Sequence, residues 1–315
     1  MKVVIAELNW PEGIRLLRQE AKVVYNPDLW KDREKLFSEI KDADALIVRN
    51  QTQVDRQLLA HASRLKVVGR LGVGLDNIDI GAAKEADVSV VYAKNANAIS
   101  VAEYVIAGLL TVCRPLLAAT EAVKQGQWNR RCFTGSEIYG RTLGLIGVGE
   151  IGLRIAVRAQ ALGLKVVGYD PFVGPYDYPY AEAGIKKVSF EDVLAHSDFI
   201  SIHVPLTPQT RDMISHAEFS KMKPTVTMIN TSRGGVVDEQ ALSTFLNHHH
   251  QAFGILDVLE QEPPQQDHPL FALDNVILTP HVAGLTEQSQ ERTSRLVAEE
   301  VLKELRGQPS ICSIR

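Results

Sequence analysis

The sequence predicts an α/β chain built as two doubly wound parallel-sheet domains joined by a hinge, and three observations carry that reading. Strand and helix patterns alternate through residues 1–95 and alternate again from Thr142 onward. A glycine fingerprint, Gly147-Val-Gly149-Glu150-Ile151-Gly152, opens only the second of these series. A long helical stretch joins the two series, and a final amphipathic helix is placed to return to the first domain, crossing the hinge a second time.

The first series places strands at Lys2–Leu8, Lys22–Tyr25, Ala45–Val48, Leu65–Arg70 and Val88–Tyr92. Helical spacing recurs between them, at Gly13–Glu20, Asp32–Ile40, Asp55–Ala60 and Ile80–Glu85. No glycine fingerprint follows the first strand, so this half reads as a flavodoxin-like domain. One helix is expected from Ser100, a suitable N-cap, to about Gly126. The second series gives strands at Thr142–Gly147, Lys165–Tyr169, Ile185–Val188, Phe199–Val204, Val226–Asn230, Ala252–Asp257 and Val276–Thr279. The last helix spans Glu287–Arg306, stopped by Gly307 with Pro309 beyond. The expected division is residues 1–98 with 286–315 for one domain and 99–285 for the other.

Composition narrows the function classes. A chain of 315 residues with 45% hydrophobic and 23% charged residues is ordinary for a globular protein of two domains. The net charge of −4 and the lack of a Lys/Arg block argue against a nucleic-acid partner. Cys113, Cys132 and Cys312 make no metal spacing and no disulfide framework, which points to a reducing, cytoplasmic setting. The N-terminal apolar run is too short for a signal peptide, and Val101–Cys113 is too short to span a bilayer, so no membrane partner is expected. His248-His249-His250 reads as a solvated loop and no metal is expected, because adjacent side chains cannot converge on one ion from a helix or strand.

The fingerprint carries the first chemical inference. Gly147 makes the tight turn after an apolar strand, Gly149 lets backbone approach a pyrophosphate, and Gly152 lets the helix pack closely on its strand. The helix N-terminus offers N–H groups and a positive dipole end to phosphates. A following strand ends in Asp170, 18 residues after Gly152, where a carboxylate accepts from both adenosine ribose hydroxyls and repels a 2′-phosphate. The implied cofactor is NAD. This half is Rossmann-like.

Three polar residues lie at C-terminal ends of strands in that half, where open α/β sheets bind ligands: Arg233, Glu262 and His281. A guanidinium holds a carboxylate through two parallel hydrogen bonds and polarises the adjacent carbonyl. An imidazole gives or takes the hydroxyl proton at neutral pH, and a nearby carboxylate holds one tautomer and favours the charged ring. That set suits hydride reduction of a 2-keto acid.

Several stretches together closely resemble the D-isomer-specific 2-hydroxyacid dehydrogenases: Gly147–Gly152, Asn230–Glu239, Asp257–Pro263, Thr279–Gly284, Gly69–Asp79 and His203–Thr210. The match is in order and covers nearly the whole chain. It implies that Arg233 binds substrate carboxylate and carbonyl, that His281 is the acid/base, and that Glu262 is its partner. It adds cofactor contacts at Glu150, Ile151, His203, Val204, Pro205, Thr210, Thr231, Asp257, His281 and Gly284, with Asp257 on the nicotinamide side. It places the substrate carboxylate on the backbone around Val73 and Gly74, and it gives the domain of residues 1–98 and 286–315 to substrate and that of 99–285 to NAD. It also implies a homodimer, in which Trp128 on the arm after the long helix would take part. The extra regulatory domain of some phosphoglycerate dehydrogenases is expected to be absent, because the chain ends after its last helix.

Substrate identity rests on two arginines. Arg49 and Arg70 each end a strand of the first domain, and the phosphoglycerate dehydrogenases resemble the chain at both. The segment Ile47–Val54 also looks like sulfolactate dehydrogenases of the same family. The expectation is a substrate with an anionic C3 group, such as phosphate, sulfonate or carboxylate. Glyoxylate or hydroxypyruvate reduction stays open as an alternative. So does a binding protein that senses NAD(H), as in the corepressors that share the fold.

Overall fold

Ala45-Leu-Ile-Val48 is apolar throughout because it lies inside a parallel sheet covered on both faces, and none of its residues has exposed surface. A computed structural model describes residues 1–314 and divides into two units, Met1–Asn97 with the chain from Leu285 onward, and Ala98–Gly284.

The first unit alternates β1 (Lys2–Ile5), α1 (Pro11–Arg18), β2 (Lys22–Tyr25), α2 (Arg33–Ile40), β3 (Ala45–Val48), α3 (Arg56–His61), β4 (Val67–Arg70), α4 (Ile80–Glu85) and β5 (Ser89–Tyr92). Its parallel strands run β5-β4-β3-β1-β2, the flavodoxin-like order. Asp32, Asp55 and Asp79 start α2, α3 and α4 by accepting the N–H of Lys35, Leu58 and Ala82.

The second unit begins with α5 (Ala98–Cys113) and α6 (Leu116–Lys124). It continues with β6 (Thr142–Ile146), α7 (Glu150–Ala161), β7 (Lys165–Tyr169), α8 (Tyr178–Ala181), β8 (Lys186–Lys187), α9 (Phe190–His196) and β9 (Phe199–Ile202). It closes with α10 (His216–Phe219), β10 (Thr227–Asn230), α11 (Glu239–His248), β11 (Phe253–Leu256) and β12 (Val276–Leu278). All strands are parallel in the order β8-β7-β6-β9-β10-β11-β12, so the winding reverses between β6 and β9. Ligands of open α/β sheets bind at such a reversal.

The chain then returns to the first unit as α12 (Glu287–Leu305), packed on α1 where Gly13 meets Ser294 so closely that a Cβ would lie 2.4 Å from its carbonyl oxygen. A short β13 (Ser313–Ile314) pairs antiparallel with β5 at the sheet edge. Two residues are too few for a sequence pattern to show.

Two expectations need correction. The long helix starts at Ala98, and Ser100 is buried inside its first turn rather than capping it. The helix also breaks before Pro115, where a missing N–H and ring clash end the ladder, and α5 and α6 are bent by 52°. No single helix among the described residues is long and apolar enough to cross a membrane.

Candidate active site

At the reversal point β6 runs into Gly147, whose φ of +91° lies in the left-handed region where side chains rarely sit. A Cβ there would come within 2.6 Å of the His203 carbonyl. Gly149 caps α7, and a Cβ built on it meets nothing within 4 Å, so the backbone faces open space at a helix N-terminus. Gly152 packs against the Gly147 carbonyl, 2.5 Å from an added Cβ. Glu150 and Ile151 lie in the first turn of α7. Asp170 follows β7 with its carboxylate fixed by the N–H groups of Val148 (3.1 Å) and Phe172 (2.9 Å), each oxygen keeping a further lone pair. Beside it Tyr180 stays protonated: burial, then the Asp170 charge, push its phenol up to about 12.

The segment after β9 carries His203, Val204, Pro205 and Thr210. Thr210 Oγ1 accepts from Thr207 N–H (2.8 Å) and donates to the Pro205 carbonyl (2.6 Å), closing the turn. The His203 ring pairs with Ser201 Oγ at 2.7 Å, while its Nδ1 and the hydroxyl of Thr231 are buried without a partner. An open glycine cradle, an ordered acid at the end of the next strand and two buried polar atoms without partners fit a dinucleotide.

Arg233, Glu262 and His281 lie on loops after β10, β11 and β12. Glu262 Oε2 meets His281 Nδ1 at 2.8 Å, and Glu262 Oε1 accepts from Leu259 N–H at 3.1 Å. Burial alone would raise the Glu262 carboxyl, but the His281 hydrogen bond and charge, the Leu259 N–H and Arg233 outweigh it and hold it below the usual carboxylate value. Glu262 is therefore an anion facing an imidazole near Arg233. Arg233 Nη1 donates to the Ser232 carbonyl at 2.7 Å, and Asn230 ties its turn by donating to the Arg233 carbonyl (2.9 Å) and accepting from Ser232.

His281 has φ +55°, unusual for a residue with a side chain. Asp257 holds it there. Its backbone oxygen accepts His281 N–H, and its carboxylate accepts Val282 N–H (2.8 Å), Ala283 N–H (2.7 Å) and Thr279 Oγ1 (2.6 Å). At 2% exposure the Asp257 side chain is occupied by this turn rather than turned to solvent. Tyr104 on α5 extends the chain, its hydroxyl 2.6 Å from Thr279 Oγ1. Tyr104→Phe should cost about 1 kcal/mol in urea unfolding; an unchanged midpoint would separate Tyr104 from this network. Gly284 ends the turn.

In the first unit Glu7 follows β1 and is almost fully buried, and its carboxylate accepts four backbone N–H groups: Arg49 (2.8 Å), Asn50 (3.1 Å), Gln51 (3.0 Å) and Thr52 (2.9 Å). Asn77 bridges the same loop from the far side, donating to the carbonyls of Thr52 (2.7 Å) and Arg49 (3.3 Å). The Arg49 guanidinium lies over the Trp10 ring, and burial pushes its pKa down against the opposing pull of Glu7. Arg70 donates to the Leu71 carbonyl. Val73 and Gly74 follow in a half-buried loop. Glu7, Asn77 and Tyr104 escape sequence reading because their partners are backbone groups or sit far along the chain.

An open parallel sheet with a glycine cradle at its reversal and an imidazole–carboxylate pair at its carboxyl edge defines a dinucleotide-dependent α/β enzyme class. Residues 106–283 match the family described as D-isomer specific 2-hydroxyacid dehydrogenase, NAD binding domain. The chain is 41% identical over 303 residues to the (S)-sulfolactate dehydrogenase of Chromohalobacter salexigens, covering 96% of this chain and 98% of that one. It is 41% identical over 309 residues to the D-3-phosphoglycerate dehydrogenase of Archaeoglobus fulgidus, covering 98% of this chain but only 58% of that relative's length. A solved protein of Thermus thermophilus superposes with a TM-score of 0.90 at 29% identity, each chain covered in full. The chain belongs to the D-isomer specific 2-hydroxyacid dehydrogenase family.

Proposed function

We propose that the chain interconverts a D-2-hydroxy acid and its 2-keto acid with NAD, and that the substrate carries an anionic group on C3. The observation that supports this best is the 2.8 Å contact between Glu262 and His281 at the carboxyl edge of the dinucleotide-binding sheet. Glu262 occupies Nδ1 and thereby leaves Nε2 to carry the proton exchanged with the substrate oxygen. Arg233 binds the substrate carboxylate and draws charge from the neighbouring carbonyl. The nicotinamide, when bound, supplies or accepts the hydride. Asp257 acts by holding the His281 turn.

Arg49, on a loop ordered by Glu7 and Asn77, is assigned to the C3 anion. Arg70 is assigned to the same anion, and the Val73–Gly74 backbone to the substrate carboxylate. The unit of Met1–Asn97 is thus the substrate-binding part and that of Ala98–Gly284 the NAD-binding part. A homodimer in the cytoplasm completes the reading, supported by Leu116, Leu117 and Trp128, exposed by 65%, 81% and 79%. Light scattering reporting a monomer would remove the dimer.

The test is NADH oxidation by the purified protein with sulfopyruvate, phosphohydroxypyruvate, hydroxypyruvate, glyoxylate and pyruvate. Turnover is expected to be fastest with one of the first two. Arg49→Ala should lower kcat/KM for that substrate about a hundredfold and for pyruvate no more than about threefold, as losing one buried ionic contact predicts. Equal losses would remove the anionic pocket. NADH binding without turnover of any keto acid would make the protein a sensor.

A further inference from the structure

A second carboxylate–imidazole pair lies behind the first. Glu239 is the opening residue of α11, and its Oε2 is 2.8 Å from His268 Nε2, with the two side chains 11% and 10% exposed. Its other oxygen, Oε1, accepts the N–H of Glu260 at 2.6 Å. His268 Nδ1 accepts the N–H of Leu270 at 3.4 Å, so Nδ1 carries no proton and Nε2–H is the donor to Glu239. One buried carboxylate is thus shared by one imidazole and one loop N–H. Removing either donor leaves the acid undersatisfied.

The loop that Glu239 holds carries Glu262. Leu259, one residue before the anchored Glu260, donates its N–H to Glu262 Oε1. Its carbonyl presses on the turn that carries Arg233: a Cβ on Gly234 would lie 2.0 Å from the Leu259 oxygen. The same short stretch therefore meets Glu239 on one side and Gly234 on another, and places Glu262 between them. The charged groups around it are Arg211, 3.8 Å from the Glu260 carboxylate, with Arg233 and His281 near Glu262. Phe271 packs beside the His268 ring at 5.2 Å.

We propose that Glu239 and His268 are positioning residues that fix the loop of Glu262, and through it the tautomer of His281 and the seat of Arg233. They touch neither substrate nor cofactor. The inference rests on Glu262 and His281 being the acid/base pair, and its test includes a readout that needs no turnover.

Selectively 15N-labelled histidine reports which ring nitrogen of His281 carries the proton. Wild type should show the Nδ1–H form, donated to Glu262. In His268→Leu the His281 ring should relax toward a mixture of both tautomers. There kcat should fall tenfold to about a hundredfold, the scale of a reacting group displaced by about 1 Å. NADH affinity should stay unchanged. His268→Gln puts an N–H where Nε2–H stands and should restore both signals, while His268→Asn, whose amide reaches only the Nδ1 position, should not. An unaltered His281 tautomer in His268→Leu, or equal behaviour of the Gln and Asn variants, overturns the proposal. Should His268→Leu fail to fold, the Gln–Asn comparison decides alone. Lack of keto-acid turnover by wild type would sink the functional reading instead, and leaves the NMR comparison intact.

Discussion

His281→Ala is expected to lower kcat for 2-keto acid reduction about a thousandfold, in the middle of the range for a lost general acid, while NADH affinity stays nearly intact. The argument is geometric. His281 is held at a left-handed φ by hydrogen bonds of its turn to Asp257 and Thr279 and oriented by Glu262 at 2.8 Å. A residue kept in a strained backbone conformation by several independent contacts is placed for a purpose that a relaxed turn would not serve. The glycine cradle and Asp170, which are assigned to the dinucleotide, lie on other loops and lose nothing when the imidazole goes. NADH fluorescence titration and steady-state rates separate the two effects. A variant that turns over at the wild-type rate would exclude His281 as the acid, and one that loses NADH binding in proportion would make it a cofactor contact only.

Much of this arrangement is legible in the sequence, and the part that is not has a common cause. Lys22–Tyr25, Ala45–Val48, Ile80–Glu85 and Lys165–Tyr169 have the bounds expected of them, since their apolar runs stop where the ladder or helix stops. Nine strands extend further in the sequence pattern than in the structure. The overrun at the carboxyl ends of β1, β6, β9, β11 and β12 reaches Leu8, Gly147, Val204, Asp257 and Thr279. At the last four the chain leaves the sheet while still shielded, so hydropathy alone cannot mark the departure. Those overhangs carry residues of the proposed site. The supporting residues are hidden for another reason: Glu7 and Glu239 bind backbone N–H groups of loops remote in sequence, and a backbone donor has no residue type to signal it. The break at Pro115 was written in the sequence, but the apolar spacing on either side of it continues as one helical pattern.

A second large effect is expected on stability below neutral pH, from His203. Burial pushes its imidazole down to about 3, and its Nδ1 is sealed with no partner, although the residue as a whole is half-buried. The ring is therefore neutral in the folded chain and charges on unfolding at about 6.5. Because the unfolded state binds the extra proton, stability falls as pH drops below about 6.5 and continues to fall until the folded value near 3 is reached. Between pH 7 and pH 5 this single group should cost up to about 2 kcal/mol. Carboxylates such as Glu262, held low in the fold, add to acid loss only once pH nears the ordinary carboxylate range, so the upper part of the window isolates the histidine. Urea unfolding of the cofactor-free protein at pH 7 and pH 5 is the measurement, with His203→Gln as the non-titrating comparison. The glutamine variant should lose less stability across that interval than wild type, by up to the same 2 kcal/mol. Equal losses in both proteins would mean that water reaches the ring, and that His203 takes up a proton in the folded chain as readily as in the unfolded one.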